Sequence, residues 1–298
     1  MQVDPPERAE AKPGAASTGR GGGSMKDLGA RVLSGLALGA IALGLLYAGV
    51  VPFAALIFVV TLLMCWEWGH VVRQSDVFDA VLIVHGISVG AATILATMGL
   101  AALALIALIA GTLVVGALRF GERARLSALG VLYVGLPAVA LVWLRSGDTI
   151  VTPYGLLAVL FVILSVISTD TLAYFTGRGV GGPKLWPSVS PNKTWSGLIG
   201  GVSGAAVVGA IFGMLMPGGH PLQLAVTGLL LGLVAQGGDL AESALKRSFG
   251  VKDASGLIPG HGGFMDRMDG LVVAAVVAAI IGLLRNVYAP AQALLLGL

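Results

Sequence analysis

Long apolar runs recur along this 298-residue chain and limit what it can fold into. A helix needs about 20 apolar residues to cross the ~30 Å hydrocarbon core of a bilayer. Hydrophobic residues make up 56% of the sequence and charged residues 11%, which excludes a soluble globule. The pattern predicts an all-α, polytopic integral membrane protein with about nine transmembrane helices. Their predicted bounds are residues 28–49, 52–72, 79–98, 100–118, 126–145, 154–176, 195–216, 222–247 and 270–289.

The basic residues predict how these helices are oriented. With the N-terminus inside, 16 of the 18 Lys and Arg residues fall in the inner segments, and only Arg145 and Arg285 fall outside. Cytoplasmic segments of membrane proteins carry such an excess of Lys and Arg. The asymmetry predicts a multi-pass protein of the cytoplasmic membrane with a cytoplasmic N-terminus. It also accounts for the net charge of +3, so no nucleic acid partner is expected.

The sequence predicts three segments of different character. Residues 1–25 combine Pro, Gly, Ser and scattered charges without apolar periodicity, which predicts a disordered cytoplasmic tail. Residues 26–150 are expected to form N-terminal transmembrane helices. Residues 151–298 are expected to form a C-terminal catalytic transmembrane domain, because the polar sequence elements lie there.

A polar interval, residues 243–269, separates the last two predicted helices and holds many of the chain's few charges. Just before it, Asp239 and Glu242 lie inside an apolar segment. An acid at the bilayer centre costs roughly 2.5–3.5 kcal/mol on insertion scales, so acids without a role are not expected there. Helical spacing places Gln236, Asp239, Ser243 and Lys246 on one face, so a carboxylate, a hydroxyl and an ammonium point the same way.

The second half of the interval predicts a turn that brings acids together. Glycines on both sides of His261 permit a tight turn before Asp266 and Asp269 open the next helix. Asp239 and Asp266 can then meet across that turn. Two carboxylates beside Lys and Arg suit a metal-bound polyphosphate, since oxygen ligands hold Mg²⁺ and cations neutralise phosphate oxygens. The alternative is an ordinary basic cytoplasmic loop with capping acids.

The interval resembles the signature of the phosphatidate cytidylyltransferases, also called CDP-diacylglycerol synthases. Every fixed position of that signature is matched, and a match of this length is not a chance event. The matching residues are Ser243, Lys246, Arg247, Lys252, Asp253, His261, Gly262, Gly263, Asp266, Arg267 and Asp269. The resemblance extends back to about Ser168, whereas the N-terminal half resembles the family only as a string of apolar helices.

Two upstream elements extend the resemblance. Asp170 lies near the inner end of the sixth predicted helix, and an intramembrane Asp indicates function by default. It begins an element similar to the family's D-x-x-A-Y-x-x-G-R pattern, matched by Asp170, Ala173, Tyr174, Gly177 and Arg178. Residues 190–197 resemble the family's S-P-x-K-T-x-x-G element. Serine, lysine and threonine at a helix N-terminus make a phosphate-binding surface.

The resemblance implies that CTP and phosphatidate, a membrane lipid, react to CDP-diacylglycerol and pyrophosphate. It implies Mg²⁺ as the cofactor, with a second cation as an open alternative, and a homodimer. Catalytic roles are implied for Lys246, Arg247, Asp269, His261 and Asp170. Substrate contacts are implied for Lys193, Ser190, Thr194, Ser243, Lys252, Arg267 and Tyr174. Metal ligation is implied for Asp239 and Asp266, with Asp170 and Asp269 in supporting or additional metal roles.

Two other functions remain open at this point. A CTP-dependent polyprenol kinase would also need a cytoplasmic nucleotide site and a lipid acceptor, although the complete signature favours the cytidylyltransferase. A cation-coupled transporter would use Asp170, Asp239 and Glu242 to line a pathway. Against the transporter, these acids cluster toward one face of the membrane rather than at its centre.

The second predicted helix contains two residues that need an interpretation. Glu67 lies between Trp66 and Trp68, which predicts an interfacial aromatic belt with the carboxylate extended toward water. The alternative is a structural hydrogen bond from Glu67 to another helix. Cys65 is the only cysteine, so an internal disulfide and a cysteine-based zinc site are excluded, and a small buried hydrophobe is expected.

Overall fold

The computed structural model describes residues 25–74, 79–118, 123–258 and 262–297. Residues 1–24 of the predicted tail and the candidate residue His261 lie outside the described residues. The predicted disorder of the tail and the predicted catalytic role of His261 therefore stay predictions.

Ten α-helices make up most of the described chain. They are α1 (Met25–Ala48), α2 (Val50–Trp68), α3 (Ala80–Thr97), α4 (Ala101–Leu118), α5 (Ala124–Arg145), α6 (Tyr154–Gly179), α7 (Trp195–Leu215), α8 (Pro221–Ser248), α9 (Met265–Arg285) and α10 (Pro290–Leu296). Helix α2 continues as a π-helical turn over Gly69–Arg73. Within the described ranges, eight helices, α2 to α9, are long and apolar enough to cross a membrane. These helices confirm a polytopic helical protein, and the count of nine spans stays a prediction.

The all-α prediction misses a small antiparallel hairpin between α6 and α7. Its strands are β1 (Lys184–Trp186) and β2 (Ser190–Thr194), with Lys184 opposite Thr194 and Trp186 opposite Ser190. A two-stranded sheet has only edge strands, so the proline at position 191 is tolerated within β2. Strands this short carry no period-2 pattern, which is why the sequence did not predict them.

Small residues bring the C-terminal helices close together. A Cβ at Gly209 of α7 would lie 1.9 Å from the carbonyl oxygen of Leu224 in α8, and one at Gly228 would lie 2.2 Å from that of Ala205. Glycine is therefore required where these two backbones meet, as is common between membrane helices. Because α7 follows the hairpin, its close packing on α8 places the polar end of α8 near the hairpin.

Helix α9 joins the two apolar clusters that form the core. One cluster is built mainly on α5, α6, α8 and α10 and includes Ala274 and Ala278 of α9. The other is built mainly on α2 to α5 and includes Met265 and Val272 of α9. The first turns of α9 therefore lie between both halves of the molecule. Because Asp266 and Asp269 are in those turns, both halves determine where these carboxylates lie.

Candidate functional site

A polar cavity of about 690 Å³ lies beside the hairpin, at the polar ends of α6, α8 and α9. Four carboxylates line it: Asp170 from α6, Asp239 from α8, and Asp266 and Asp269 from α9. Four basic side chains also line it, namely those of Arg178, Lys184, Lys193 and Arg267. The fold thus collects acids and bases from segments that are far apart in sequence.

Lys193 links three elements at the centre of this cavity. Its Nζ lies 2.6 Å from Oδ2 of Asp239 and donates to Oε1 of Gln236 at 3.1 Å. Gln236 in turn donates through Nε2 to Oδ1 of Asp170 at 3.0 Å. The Lys193 and Asp239 side chains are 20% and 25% exposed, so the pair remains open to the cavity. Strand β2 and helices α6 and α8 are therefore connected through polar groups that a ligand can reach.

Asp266 is more deeply enclosed, with its side chain 10% exposed. Its Oδ1 pairs with Lys246. Its Oδ2 accepts from the backbone amides of Ala254 at 2.9 Å and Gly263 at 2.8 Å. Asp266 thus holds both arms of the loop between α8 and α9, and both of its oxygens are engaged.

Lys246 lies behind Asp266, with its side chain 8% exposed. Its Nζ also lies 2.9 Å from Oε1 of the fully buried Glu242. Glu242 Oε2 accepts from the hydroxyl of Tyr133 in α5 at 2.7 Å. Lys246 is not among the described residues that line the cavity. Its connection to the cavity is the ion pair with Asp266, which does line it. The phosphate contact predicted for Lys246 stays a prediction.

The other predicted site residues fall into two groups. Tyr174, Thr194, Arg267, Asp170 and Asp269 lie on the cavity wall. Ser190, Ser243, Arg247 and Lys252 are outside the described lining.

Within the second group, Ser243 donates to Oδ1 of Asp239 at 3.3 Å and so supports a lining carboxylate. Arg247 and Lys252 are exposed, and Arg247 donates to the carbonyl of Val251 at 3.4 Å. Ser190 is half-buried in β2. Ser243 is therefore the member of this group whose hydrogen bond connects it directly to a lining side chain.

The glycines of the two upstream elements let α6 and α7 approach each other at the cavity. A Cβ at Gly177 would lie 2.9 Å from Oγ1 of Thr194, and one at Gly197 would lie 2.9 Å from the carbonyl oxygen of Ala173. Thr194 caps α7, since its hydroxyl accepts from the amide of Gly197 at 3.1 Å. The family-like spacing of these residues thus has a packing reason as well as a chemical one.

Sequence reasoning assigned no role to Lys184 or Gln236, which also line the cavity. Lys184 lies in β1, and the hairpin that carries it was not predicted. Gln236 shares a helical face with Asp239 by its three-residue spacing, so a signal for it was present in the sequence.

Glu67 is fully buried and holds the start of α9. Its Oε1 accepts from the amide of Phe264 at 2.9 Å and from Ser255 Oγ at 2.5 Å, and its Oε2 accepts from the amide of Met265 at 2.6 Å. The first amides of a helix lack internal partners, and a carboxylate there is also favoured by the helix dipole. A Cβ at Gly263 would lie 2.4 Å from Oε1 of Glu67, so glycine leaves room for this contact.

The interfacial-belt interpretation of Glu67 is therefore wrong, and the alternative of a hydrogen bond to another helix is confirmed. Its neighbour Trp68 is also buried and donates through Nε1 to the carbonyl of Leu126 at 3.0 Å. Both side chains turn inward because the loop and α5 supply polar partners there. Cys65 is buried, as expected.

The cavity's chemistry fits a magnesium ion that is shared with a ligand. Carboxylate oxygens are the ligands that Mg²⁺ prefers, and the ion is usually bound by one or two carboxylates together with substrate phosphates and water. Within the described ranges, no three His, Cys, Asp or Glu side chains are grouped closely enough to hold a metal by themselves. The four lining carboxylates are the groups of the cavity that could hold such an ion together with a phosphate-bearing ligand.

Comparisons with known proteins identify the family of this chain. Residues 29–284 match the cytidylyltransferase family. The chain is 40% identical to the phosphatidate cytidylyltransferase of Brucella abortus, over 87% of this chain and 94% of that protein. It is 32% identical to the Bacillus subtilis protein of the same name, over 82% and 94%. A third relative, from Haemophilus influenzae, is 45% identical over 41% of this chain and 44% of its own length. The chain belongs to the cytidylyltransferase family.

Proposed function

We propose that this protein is a phosphatidate cytidylyltransferase and that the polar cavity is its active site. The observation that carries the proposal is the convergence of Asp170, Asp239, Asp266 and Asp269 with Lys193 on one cavity. All of these residues except Asp239 come from the three family-like elements of the sequence, and Asp239 lies four residues before the longest of them. The names of the relatives that cover most of the chain support phosphatidate and CTP as the substrates.

In this reaction, an oxygen of the phosphatidate phosphate forms a bond to the α-phosphorus of CTP. The bond from that phosphorus to the bridging oxygen of the β-phosphate breaks, and pyrophosphate leaves with the electron pair. The protein's task is to hold both phosphates in line and to neutralise their charge. The neutralising positive charge comes from four basic side chains that line the cavity, namely Arg178, Lys184, Lys193 and Arg267.

Asp239 and Asp266 are the proposed ligands of Mg²⁺, with Asp170 and Asp269 in additional or supporting positions. Bound there, Mg²⁺ would neutralise negative charge on the phosphate oxygens. Asp239 would exchange its contact with Lys193 for the cation, which frees the ammonium to face a phosphate. Asp266 would have to give up Lys246 or a backbone amide, so Asp239 is the more accessible of the two.

Product identification tests the proposed function. Detergent-purified protein is incubated with phosphatidate, Mg²⁺ and CTP labelled at either the α- or the γ-phosphorus. We expect the α-label in the lipid product and the γ-label in pyrophosphate. A γ-label on the lipid would identify a kinase instead. Cation flux into vesicles without any CDP-lipid would identify a transporter.

We propose that the active site faces the cytoplasm of a bacterial-type cytoplasmic membrane. Single cysteines in the exposed hairpin turn (Ser188→Cys) and in the exposed α5–α6 loop (Val151→Cys) test this. We expect an impermeant maleimide to label position 151 in intact cells and position 188 only after permeabilisation. The only native cysteine, Cys65, is buried, so the background should be low. Labelling of both positions in intact cells would contradict the proposed topology.

A further inference from the structure

A second, apolar cavity of about 360 Å³ lies between α1, α2, α5 and α9. Among the described residues that line it, only Thr61 and Arg267 are polar. The Thr61 hydroxyl is already satisfied, because it donates to the carbonyl of Phe58 at 2.9 Å. The cavity therefore suits a hydrocarbon chain rather than a nucleotide or a phosphate.

The start of α9 separates this apolar cavity from the polar one. Phe264 and Met268 line the apolar cavity, whereas Asp266 and Asp269 line the polar cavity. Arg267 lines both. A molecule with an anionic phosphate and an attached apolar chain matches this arrangement, with the guanidinium at the junction.

The apolar cavity has the depth of one bilayer leaflet. Along α2 its lining extends from Phe53 to Met64, or roughly 16 Å at 1.5 Å per residue. Half of a ~30 Å hydrocarbon core is about 15 Å, the depth that a lipid acyl chain fills. Length and polarity therefore indicate the same occupant.

Glycines on α1 leave this space open. Gly35 and Gly39 lie one turn apart and line the cavity, and a Cβ at either position would meet no atom within 4 Å. Closely packed glycines in this protein behave differently, as at Gly209, where an added Cβ would lie 1.9 Å from a neighbouring backbone oxygen. Gly35 and Gly39 thus do not serve close helix packing. Both glycines are exposed in the protein, so the wall that they form is open to a hydrocarbon chain and is not packed against another helix.

We propose that the apolar cavity binds one acyl chain of phosphatidate while its phosphate lies at Arg267 in the polar cavity. The inference rests on the proposed function, because it takes phosphatidate as the substrate. It adds that α1, α2 and α5 recognise the lipid, whereas the C-terminal helices recognise the nucleotide. The N-terminal half of the chain thereby has a role in substrate selection.

A cavity-filling variant tests the proposal. Gly39→Phe and the smaller Gly39→Leu place a side chain into the open space, and Ala110→Phe makes a matched change on an exposed face of α4. For each protein, kcat/KM is measured with phosphatidates carrying two hexanoyl or two oleoyl chains in the same detergent micelles. We expect the Gly39 variants to lose about tenfold for the oleoyl substrate, the effect of a few displaced methylene contacts. For the hexanoyl substrate in the Gly39 variants, kcat/KM should change by no more than about twofold. The same limit is expected for both substrates in the Ala110→Phe control.

The short-chain substrate separates this inference from the proposed function. Wild-type protein that forms no CDP-lipid from either substrate would refute the function itself. If it forms CDP-lipid, an equal loss for both chain lengths in both Gly39 variants, or no loss in either, would overturn the acyl-chain site.

Photolabelling distinguishes phosphatidate from bulk lipid as the occupant. A phosphatidate with a diazirine in one acyl chain should label α2 or α5, and excess unlabelled dioleoyl phosphatidate should suppress that labelling. A phosphatidylcholine probe with the same chain should label these helices at least several-fold less. Equal labelling by both probes, without competition by phosphatidate, would overturn the proposal.

Discussion

Asp239→Asn is expected to reduce turnover at saturating CTP and phosphatidate by about 100-fold or more, the effect of losing one preorganised electrostatic contact. Asparagine keeps the size of the side chain and an oxygen that accepts hydrogen bonds. It removes the charge that faces Lys193 at 2.6 Å and that a hard cation requires. Asp239 gives a cleaner test than Asp266, because Asp266 also holds two backbone amides of the loop.

The measurement is turnover as a function of Mg²⁺ concentration, on protein that elutes as a single detergent-solubilised species. Asp148→Asn is the matched control, since it also removes the charge from an ion pair, here with Arg145 at 2.5 Å after α5, away from the cavity lining. We expect the control to keep its Mg²⁺ dependence and the Asp239 variant not to recover at high Mg²⁺. Near wild-type turnover with unchanged Mg²⁺ dependence in Asp239→Asn would rule out Asp239 as a ligand.

Glu67→Gln is expected to lower both the thermal stability and the turnover, although residue 67 does not line the polar cavity. The two carboxylate oxygens of Glu67 accept from two different backbone amides at the start of α9. Glutamine has only one acceptor oxygen, so its NH₂ group would face an amide donor in a fully buried position. Leaving a buried donor unsatisfied costs about 1–3 kcal/mol. Displacement of the first turn of α9 should also move Asp266 and Asp269, and we expect turnover to fall about tenfold or more, since a misplacement of about 1 Å can cost about 100-fold.

Ser255→Ala is the matched control for this variant. It removes one hydrogen bond from the same carboxylate but leaves both contacts to the α9 amides. We expect a small loss of stability and nearly normal turnover for it. For Glu67→Gln, the Mg²⁺ concentration needed for half-maximal turnover should rise, which a purely structural role would not cause. If Glu67→Gln melts at a lower temperature but keeps normal turnover and Mg²⁺ dependence, Glu67 does not position the site.

Much of the architecture could be predicted because it depends on local composition. A helix must satisfy its own backbone groups in the bilayer, so runs of spanning length are sufficient to predict α2 to α9. Helix α9 is the informative exception: its apolar span was predicted to begin at residue 270, whereas the helix begins at Met265, next to Asp266, which the glycine turn was expected to precede. Three of the five residues at 265–269 are charged and weaken the apolar signal there, and the contact that starts the helix comes from Glu67, nearly 200 positions earlier in the chain.

The candidate site could be predicted as a set of residues but not as a geometry. Motif spacing selected Asp170, Asp266 and Asp269, and the position of Asp239 on one face of an apolar helix selected that residue; all four line one cavity. Spacing could not tell that Lys193 pairs with Asp239, or that Lys246 is buried behind Asp266. Both lysines lie in family-like elements and carry the same charge, so the sequence does not distinguish their roles. Only the distances from each ammonium to the nearby carboxylates in the folded protein distinguish them.

Two properties could be predicted without the structure: the chain forms a series of helices long and apolar enough to span a membrane, and certain residues match the family's motifs near the ends of those helices. These properties depend on composition and on short spacings, which local physics translates directly into helices and faces. Helix packing, in contrast, sets which ion pairs form, turns Glu67 inward, and places Arg267 between a polar cavity and an apolar one. Such contacts join residues that are far apart in the chain, and they arise from how the helices pack, which no local pattern encodes.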